Sequence, residues 1–406
     1  MALVDLSAMY GSDPELVLGG GGNTSVKLDG HLLVKASGAS LTHIGPENFV
    51  DLDRAALQQV LESDLSNSRV EREAAFKQAL LAARLSSNSP RPSVESVLHH
   101  LMPGKFVVHL HATGVNQFAC SQGGRALVAQ FLGDDVAWVD LVDPGFILAK
   151  TLQEQLRAFR ARTGKRRPRA VIMENHGVVV SGDTPEETRA ELDWLLGRLG
   201  AVKDGAATAP PVTGAPPPRR ATTPEPSPGT PELAPRTEAT RTAGLVRTAF
   251  VDLLEAAGEA HPEVLLDDSS LVVAFVTRED GRHLALGGPL TPDQIVYCLS
   301  FPLWVQIPED EAPDAIGPRL EAELRAYAAW HGGPPKVVLI DGVGMLTWGA
   351  TTAEADIARL VYRDAIKIMT GALDLGGVKY LDEDFRTFIE NWELESYRRK
   401  RLFEAT

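Results

Sequence analysis

A proline-rich segment divides the sequence and sets the strongest limit on how the chain folds. Ten of the 27 prolines lie between Pro210 and Pro235, mixed with alanine, threonine and glycine. Such a composition buries too little apolar surface to offset the entropy lost on ordering the chain. We therefore predict a folded domain over residues 1–202, a linker over 203–241 and a second folded domain over 242–406.

The two predicted domains resemble each other in sequence. Val171–Glu187 aligns with Val338–Glu354 without a gap, and two glycines, a threonine and a glutamate match. A second, weaker likeness with a short deletion relates residues 37–50 to residues 287–296. Self-similarity in the same order along the chain indicates an internal duplication.

Three histidines of the first half are candidate metal ligands. His109 and His111 lie in the apolar run Lys105–Ala112, and side chains two apart on a strand point to the same face. His176 ends another apolar run. Three convergent imidazoles with one open position suit a catalytic zinc better than a structural one. Manganese or cobalt would also suit such a site, and a single buried histidine is more commonly a packed core residue.

The second half lacks these histidines. His176 falls opposite Val343 in the gapless alignment, and no His-x-His occurs after the linker. The second copy is therefore predicted to have lost the metal site. We interpret Glu174 and Asn175, which precede His176, as structural residues or as partners for the second nitrogen of a metal-bound imidazole.

Two glycine-containing corners are candidates for binding an anion. Leu18–Lys27 is a glycine-rich loop that runs into a short strand, and Val34–Gly38 ends in a Ser-Gly corner. Glycines let backbone amides approach a ligand closely, so two such corners near each other favour one shared anionic group. The alternative is a tight loop before a hairpin, because Asp29-Gly30 is typical of a hairpin turn. Lys35 could contact substrate, although a lysine at a strand end is more commonly solvated.

A helix start follows the second corner. Pro92–Glu95 is typical of such a start, with Ser93 as the N-cap. Glu95 and His99 are four residues apart and share a helix face. For His99 and His100 we favour surface or packed positions over ligand roles.

Composition excludes several classes of protein. The net charge of −14 and the pI near 5.2 argue against a nucleic-acid or membrane-surface partner. Two cysteines, Cys120 and Cys298, allow one bridge at most and fit a reducing cytoplasm. The N-terminus does not resemble a signal peptide, and no apolar run reaches the roughly 18 residues of a membrane span. We predict a soluble cytoplasmic protein in which the basic stretch Arg162–Arg169 is a solvated loop.

Taken in order, the glycine loop, the Ser-Gly corner, Pro-Ser-x-Glu, His-x-His and Glu-Asn-His-Gly resemble the class II aldolase/adducin family over residues 15–200. The C-terminal half, with Phe385–Glu395 near its end, is similar to the aldolase portion of bifunctional rhamnulose-phosphate aldolase/short-chain dehydrogenase proteins. No Gly-x-Gly-x-x-Gly follows, so we expect the chain to stop where their dehydrogenase begins.

The resemblance implies a fold and a set of site residues. The family fold is a three-layer α/β/α sandwich with a mainly antiparallel central sheet, here duplicated in a degenerate second copy. Zinc would be held by His109, His111 and His176, and the catalytic glutamate would be Glu95. Val94 replaces the family's second serine before that glutamate, which removes one side-chain donor. The remaining phosphate-binding residues implied by the family motifs are Gly22, Asn23, Ser37, Gly38 and Ser93.

These expectations describe a metal-dependent aldolase that cleaves a ketose 1-phosphate to dihydroxyacetone phosphate and an aldehyde. Zinc would stabilise the enediolate that cleavage leaves, and Glu95 would carry protons in both directions. Epimerases, decarboxylases and dehydratases on the same scaffold are alternatives. A non-catalytic oligomerisation protein like adducin is another, although that type typically loses the histidines and the glutamate. We expect a homo-oligomer whose phosphorylated-sugar site lies in the first half, with the second half replacing a neighbouring subunit.

Overall fold

The computed structural model describes residues 2–66, 68–205, 236–308, 311 and 313–392. Most of the predicted linker therefore lies outside the described residues, and so do the last three residues of Phe385–Glu395. The described ends of the linker are helical. The helix Pro185–Lys203 reaches its start, and the helix Arg236–Ala256 begins inside it.

The chain forms two compact units. Among the described residues, unit 1 contains 2–205 together with 371–379, and unit 2 contains 236–370 together with 380–392. A short segment from late in the sequence thus belongs to the unit that carries the candidate histidines.

Unit 1 is built on a seven-stranded sheet. Its spatial order is β3-β2-β1-β4-β7-β6-β5. All neighbouring strands are antiparallel except β5 and β6, which are parallel, so the prediction of a mainly antiparallel sheet is confirmed. The strands are β1 (Asn23–Leu28), β2 (His31–Lys35), β3 (Phe49–Asp53), β4 (Phe106–Leu110), β5 (Val136–Val139), β6 (Ala170–Met173) and β7 (Gly177–Gly182).

Helices cover both faces of this sheet, which confirms the three-layer α/β/α sandwich. Successive strand residues pack into different cores: Val108 and Leu110 join one cluster and Val107 joins another. The Val108 face is covered by α1 (Ala2–Gly11), α5 (Thr113–Ala119), α6 (Gly124–Leu132) and α8 (Pro185–Lys203). The opposite face is covered by α2 (Arg54–Glu62), α3 (Arg69–Ala82), α4 (Ser96–Leu101) and α7 (Phe146–Thr163).

Local sequence explains several of these boundaries. Asp29-Gly30 forms the predicted turn between β1 and β2, with Leu28 opposite His31 and Gly30 at a φ of 75°. This left-handed conformation is one that glycine adopts without strain. The Asp53 carboxylate caps α2 by accepting hydrogen bonds from two backbone amides of its first turn.

Strand register brings distant parts of unit 1 together. Asn23 of β1 lies opposite His109 of β4. An isolated bridge pairs Ala36 with Pro92, which joins the Ser-Gly corner to the start of α4. Because side chains alternate along a strand, His109 shares the face of Val107, the face that α4 covers.

Unit 2 contains a smaller sheet in the order β8-β11-β10-β9, in which only β9 and β10 are parallel. Its strands are β8 (Glu263–Asp267), β9 (Leu303–Val305), β10 (Val337–Ile340) and β11 (Gly344–Gly349). Its helices are α9 (Arg236–Ala256), α10 (Ser270–Val276), α11 (Gly281–Leu286), α12 (Pro292–Cys298), α13 (Pro313–His331), α14 (Thr352–Leu373, whose last three residues belong to unit 1) and α15 (Glu383–Asn391).

The weaker of the two internal likenesses is wrong as a structural equivalence. Residues 46–48 form a short 3₁₀ helix that leads into β3, whereas the matching stretch of unit 2 is α12. Both segments place proline in the first turn, and Thr291 caps α12 by accepting from the Gln294 amide. The likeness therefore reflects shared helix-start chemistry.

No helix in the described part of the chain combines the length and hydropathy needed to cross a bilayer.

Candidate metal centre

The three predicted histidines meet at one point in unit 1. His109 is on β4, His111 follows the end of that strand, and His176 lies in the turn between β6 and β7. The Nε2 atoms of His109 and His111 are 3.0 Å apart, and one potential ligand atom from each of the three residues lies within 4.8 Å of the others. A tetrahedral zinc with bonds of about 2.0–2.1 Å places its ligand nitrogens roughly 3.3 Å apart, so this donor set fits a small divalent cation.

Hydrogen bonding fixes which nitrogen of His109 faces the cluster. Its Nδ1 lies 3.0 Å from the carbonyl oxygen of Val178, which can only accept, so Nδ1 carries the proton. The Nε2 lone pair therefore points toward the other imidazoles. Burial lowers the pKa of His109 well below its ordinary value; the Glu95 carboxylate opposes this, while the neighbouring imidazoles add to it. A neutral ring with a fixed tautomer is the form that binds a metal.

Glu95 lies against the same cluster. Its Oε1 atom is 3.3 Å from Nε2 of His109 and 3.2 Å from Nε2 of His176. Asn23 donates from its side-chain amide to the other carboxylate oxygen. The side chain is thus a buried carboxylate beside the three ligand nitrogens.

The start of α4 aims this carboxylate. Glu95 is the N-cap residue of α4, and its backbone amide donates to the Ser93 hydroxyl over 3.2 Å. The prediction of Ser93 as the N-cap of α4 is wrong, because Glu95 holds that position and Ser93 lies two residues before it; its role at the phosphate stays a prediction. The Asn23 side-chain amide donates to Glu95, and its role at the phosphate stays a prediction.

The two glycine corners are brought together by Lys35. This lysine is only 1% exposed, and its Nζ donates to the carbonyl oxygens of Gly20 and Ala39, one from each corner. The expectation that Lys35 is solvated is wrong, because the corner carbonyls replace water as its partners. The ammonium group adds positive charge beneath the two corners predicted to bind an anion.

The corner glycines adopt conformations that suit close approach. Gly22 and Gly38 have φ values of 64° and 81°. A Cβ on Gly22 would come within 3.0 Å of the His109 carbonyl oxygen, so the loop passes directly over β4. The Ser37 amide donates to the Arg91 carbonyl, which joins this corner to the segment before Ser93. Gly22, Ser37, Gly38 and Ser93 thus lie on segments linked to the histidine cluster through β1, β4 and α4.

Other residues near the site have structural roles. His99 is buried, shares a hydrogen bond with the Ser25 hydroxyl, and has its pKa lowered to about 3 by burial, as expected for a packed histidine. Burial lowers the pKa of His100 to about 4, helped by the cationic Arg54. The sequence did not single out Asn116, whose amide donates to the backbone carbonyls of two ligand residues, His111 and His176.

Family models match both halves of the chain. The model of the class II aldolase and adducin N-terminal domain matches residues 2–195, and that of the class II aldolase second domain matches residues 237–398. An uncharacterized oxidoreductase of Bacillus subtilis (strain 168), YuxG, is 26% identical over 423 residues, which cover 98% of this chain and 57% of that protein. The chain thus spans little more than half the length of this curated relative.

Two solved structures each match about half of this chain. The N-terminal class II aldolase domain of a conserved Thermoplasma acidophilum protein is 29% identical, with a TM-score of 0.43, covering 49% of this chain and 91% of that one. The L-fuculose-1-phosphate aldolase of Thermus thermophilus is 16% identical, with a TM-score of 0.32, covering 50% of this chain and 91% of that one.

Proposed function

The chain belongs to the class II aldolase and adducin family, and from this premise we propose that it is a zinc-dependent lyase that cleaves a ketose 1-phosphate. The products would be dihydroxyacetone phosphate and an aldehyde. One observation carries the proposal: three separate segments bring one nitrogen of each histidine within 4.8 Å of the others and place the Glu95 carboxylate 3.2–3.3 Å from two of them. The proposed enzyme is cytoplasmic and homo-oligomeric.

A divalent ion held by His109, His111 and His176 would act as a Lewis acid and stabilise the negative charge that carbon–carbon cleavage leaves beside a ketone. The protein fixes the donor atoms for this task. The Val178 carbonyl sets the tautomer of His109, and Asn116 holds the backbone of the other two ligands. Three imidazoles are the ligand set of catalytic zinc sites that keep one position open.

Glu95 is the proposed proton carrier. As a carboxylate it accepts the proton of the substrate hydroxyl while the carbon–carbon bond breaks and its electron pair moves onto the ketone fragment. The aldehyde leaves, and Glu95 then returns the proton to the carbon of the remaining fragment. Asn23 keeps one carboxylate oxygen occupied, so the other is presented to the cluster.

The glycine corners are the proposed phosphate site. Gly22 and Gly38 would offer their backbone amides to an anion, and the buried Lys35 ammonium would favour negative charge there. A local pocket of this kind is needed because the chain as a whole carries a net charge of −14. Val94 leaves the site with one side-chain donor fewer than the family motif, so the backbone amides are proposed to supply most of the binding.

A product assay tests the proposal. The full chain loaded with zinc would be incubated with a panel of ketose 1-phosphates, and dihydroxyacetone phosphate and aldehyde would be measured separately. We expect both products in equal amounts from at least one sugar. Isomerised sugar without aldehyde, or loss of carbon dioxide, would contradict an aldolase and favour the epimerase or decarboxylase alternatives.

A further inference from the structure

We infer that Lys379, from the late segment Gly371–Lys379, is a positioning residue for the third ligand, His176. Lys379 lies 204 residues beyond Asn175 in the sequence, yet its segment belongs to unit 1. The inference rests on the proposed metal site, and it assigns part of that site to a stretch of chain far beyond the last of the three ligands.

Lys379 contacts both residues that precede His176. Its Nζ lies 2.6 Å from Oε1 of Glu174, and its backbone carbonyl accepts from Nδ2 of Asn175 over 2.8 Å. The other Glu174 oxygen accepts from the Leu141 amide over 3.1 Å. The side chains of both residues before His176 are therefore held by one residue that is remote in sequence.

The turn itself needs such support. Asn175 has a φ of 52°, in the left-handed region where residues other than glycine are uncommon. Its backbone amide donates to the Ala119 carbonyl over 3.0 Å. Because the His176 ring follows directly after this residue, a change in the Asn175 backbone would swing the imidazole away from the other two. The conformation persists where surrounding contacts over-determine it.

The segment that carries Lys379 is itself firmly attached. The Lys379 amide donates to the Cys120 carbonyl over 2.8 Å, and the Gln122 amide donates to the Gly377 carbonyl over 2.9 Å. The Gly123 amide donates to the Leu375 carbonyl over 2.9 Å. These partners lie just past α5, the helix that begins two residues after His111. The segment Gly371–Lys379 therefore contacts both the chain that follows His111 and the turn that contains His176.

This arrangement predicts an effect on ligand geometry without a matching effect on stability. The Lys379 side chain is 41% exposed and screened by solvent, whereas its partner Glu174 is only 10% exposed, so loss of the pair also lowers the free energy of unfolding to some extent. Residues that orient metal ligands, in contrast, typically change metal affinity by about 10–100-fold when they are replaced. Measuring both zinc affinity and thermal stability in a Lys379 variant therefore distinguishes a positioning role from that of an ordinary surface ion pair.

The test uses the full chain with Lys379→Met and measures the zinc dissociation constant by competition with a chromogenic chelator. We expect affinity about 10-fold weaker than wild type, while the Tm of the metal-free protein falls only slightly because Lys379 itself is partly solvated. Lys165→Met is the matched control, because Lys165 forms a half-exposed ion pair with Asp135 in a loop that carries no ligand. It should leave both quantities unchanged.

Charge reversal gives a second test that does not depend on the methionine. Lys379→Glu alone should weaken zinc binding by at least about 10-fold, and adding Glu174→Lys should restore most of the loss. Wild-type affinity in Lys379→Met, or a double variant no better than its single parents, would overturn the inference and leave the metal site intact. A wild-type protein that binds no zinc would instead overturn the proposed function itself.

Discussion

Unit 1 and unit 2 contain the same four-stranded arrangement with different contents. The strands β4-β7-β6-β5 and β8-β11-β10-β9 share their spatial order, and in each set only the last pair is parallel. The backbone plan of the duplicated part is therefore independent of the metal ligands. A comparison of the two units separates what the fold requires from what the site requires.

Register identifies the residues that stand where the ligands would be. His109 lies opposite Val179 in unit 1, and Leu266 lies opposite Leu346 in unit 2. The gapless alignment matches Val179 with Leu346, so Leu266 occupies the position of His109. By the same alignment Val343 occupies the position of His176.

The surroundings of these positions differ as well. In unit 1, β1 flanks β4 and contributes Asn23, and α4 contributes Glu95; His109 is fully buried between them. In unit 2, β8 is the edge of the described sheet, and Leu266 is 42% exposed. The site therefore depends on the additional strands β1–β3 and on α4, as much as on the histidines.

The largest loss of activity is expected when Glu95 is replaced. In the described sheet of unit 2, β8 is an edge strand, and no element beside it could supply such a carboxylate. Glu95→Gln should lower turnover by roughly 10²–10⁴-fold while zinc remains bound, because an amide cannot accept the substrate proton. Turnover and zinc content would be measured on the same preparation. Glu62→Gln, an exposed glutamate on α2, is the control and should behave as wild type. Near-normal turnover in Glu95→Gln would remove the proton-carrier role.

The next prediction places a residue of unit 2 into unit 1. His176→Val copies Val343 and removes one of three ligands, so zinc affinity should fall by at least about 100-fold, beyond the range for residues that only orient ligands. Equilibrium dialysis followed by metal analysis measures this. His283→Val, at an exposed position on α11, is the control and should retain full zinc content. Unchanged zinc binding in His176→Val would place the metal elsewhere.

Local patterns predicted the parts of the site that lie within one element or one turn. Strand periodicity put His109 in the core, and the two-residue spacing brought His111 to the same point, although β4 ends at Leu110 and His111 reaches the cluster from just beyond it. The Asp29-Gly30 turn chemistry predicted the hairpin, since a glycine at the second turn position readily adopts the left-handed conformation that Gly30 has.

Contacts between distant segments were beyond local patterns. Nothing in the spacing of Asn23 and Glu95, 72 residues apart, shows that they share a hydrogen bond. Lys35 was misjudged because lysine is rarely buried, and its burial depends on two carbonyls that only the folded corners present. Its position between apolar Val34 and Ala36 was the available signal. Lys379 contacts Glu174 and Asn175 because the chain after α14 folds back onto unit 1, which no local pattern indicates.

A smaller loss of activity is expected from a change in β1, the strand beside β4 that has no counterpart in the described sheet of unit 2. Asn23→Ala should lower kcat by about 10-fold with zinc affinity close to wild type, because the carboxylate of Glu95 loses its orienting donor and the three imidazoles stay in place. Steady-state kinetics and chelator competition measure the two quantities. Asn88→Ala, at an exposed position, is the control. Equal losses of kcat and zinc affinity would contradict this division of roles and make Asn23 part of the metal support.

The two units also bury carboxyl groups of opposite character. Burial raises the pKa of Glu73 on α3 to about 7, against the opposing effect of its partner Arg72. Burial also raises the pKa of Asp267 on β8, but hydrogen bonds from Ser269 and the nearby Arg363 lower it below its ordinary value. The contribution of Glu73 is therefore present at low pH and lost as pH rises from about 4.5 through 7, whereas that of Asp267 is present at neutral pH and lost as pH falls below about 4.

Glu73→Gln tests the sign of this difference. The amide mimics the protonated carboxyl, so the variant should match wild type near pH 4 and exceed its free energy of unfolding near pH 8 by about 3 kcal/mol, the value of a pKa shift of this size. Urea unfolding of the full chain at the two pH values measures the difference. Glu71→Gln, an exposed glutamate on the same helix, should show no pH-dependent gain. An equal offset at both pH values would mean that packing around Glu73, and not its charge, sets the stability of unit 1 in this range.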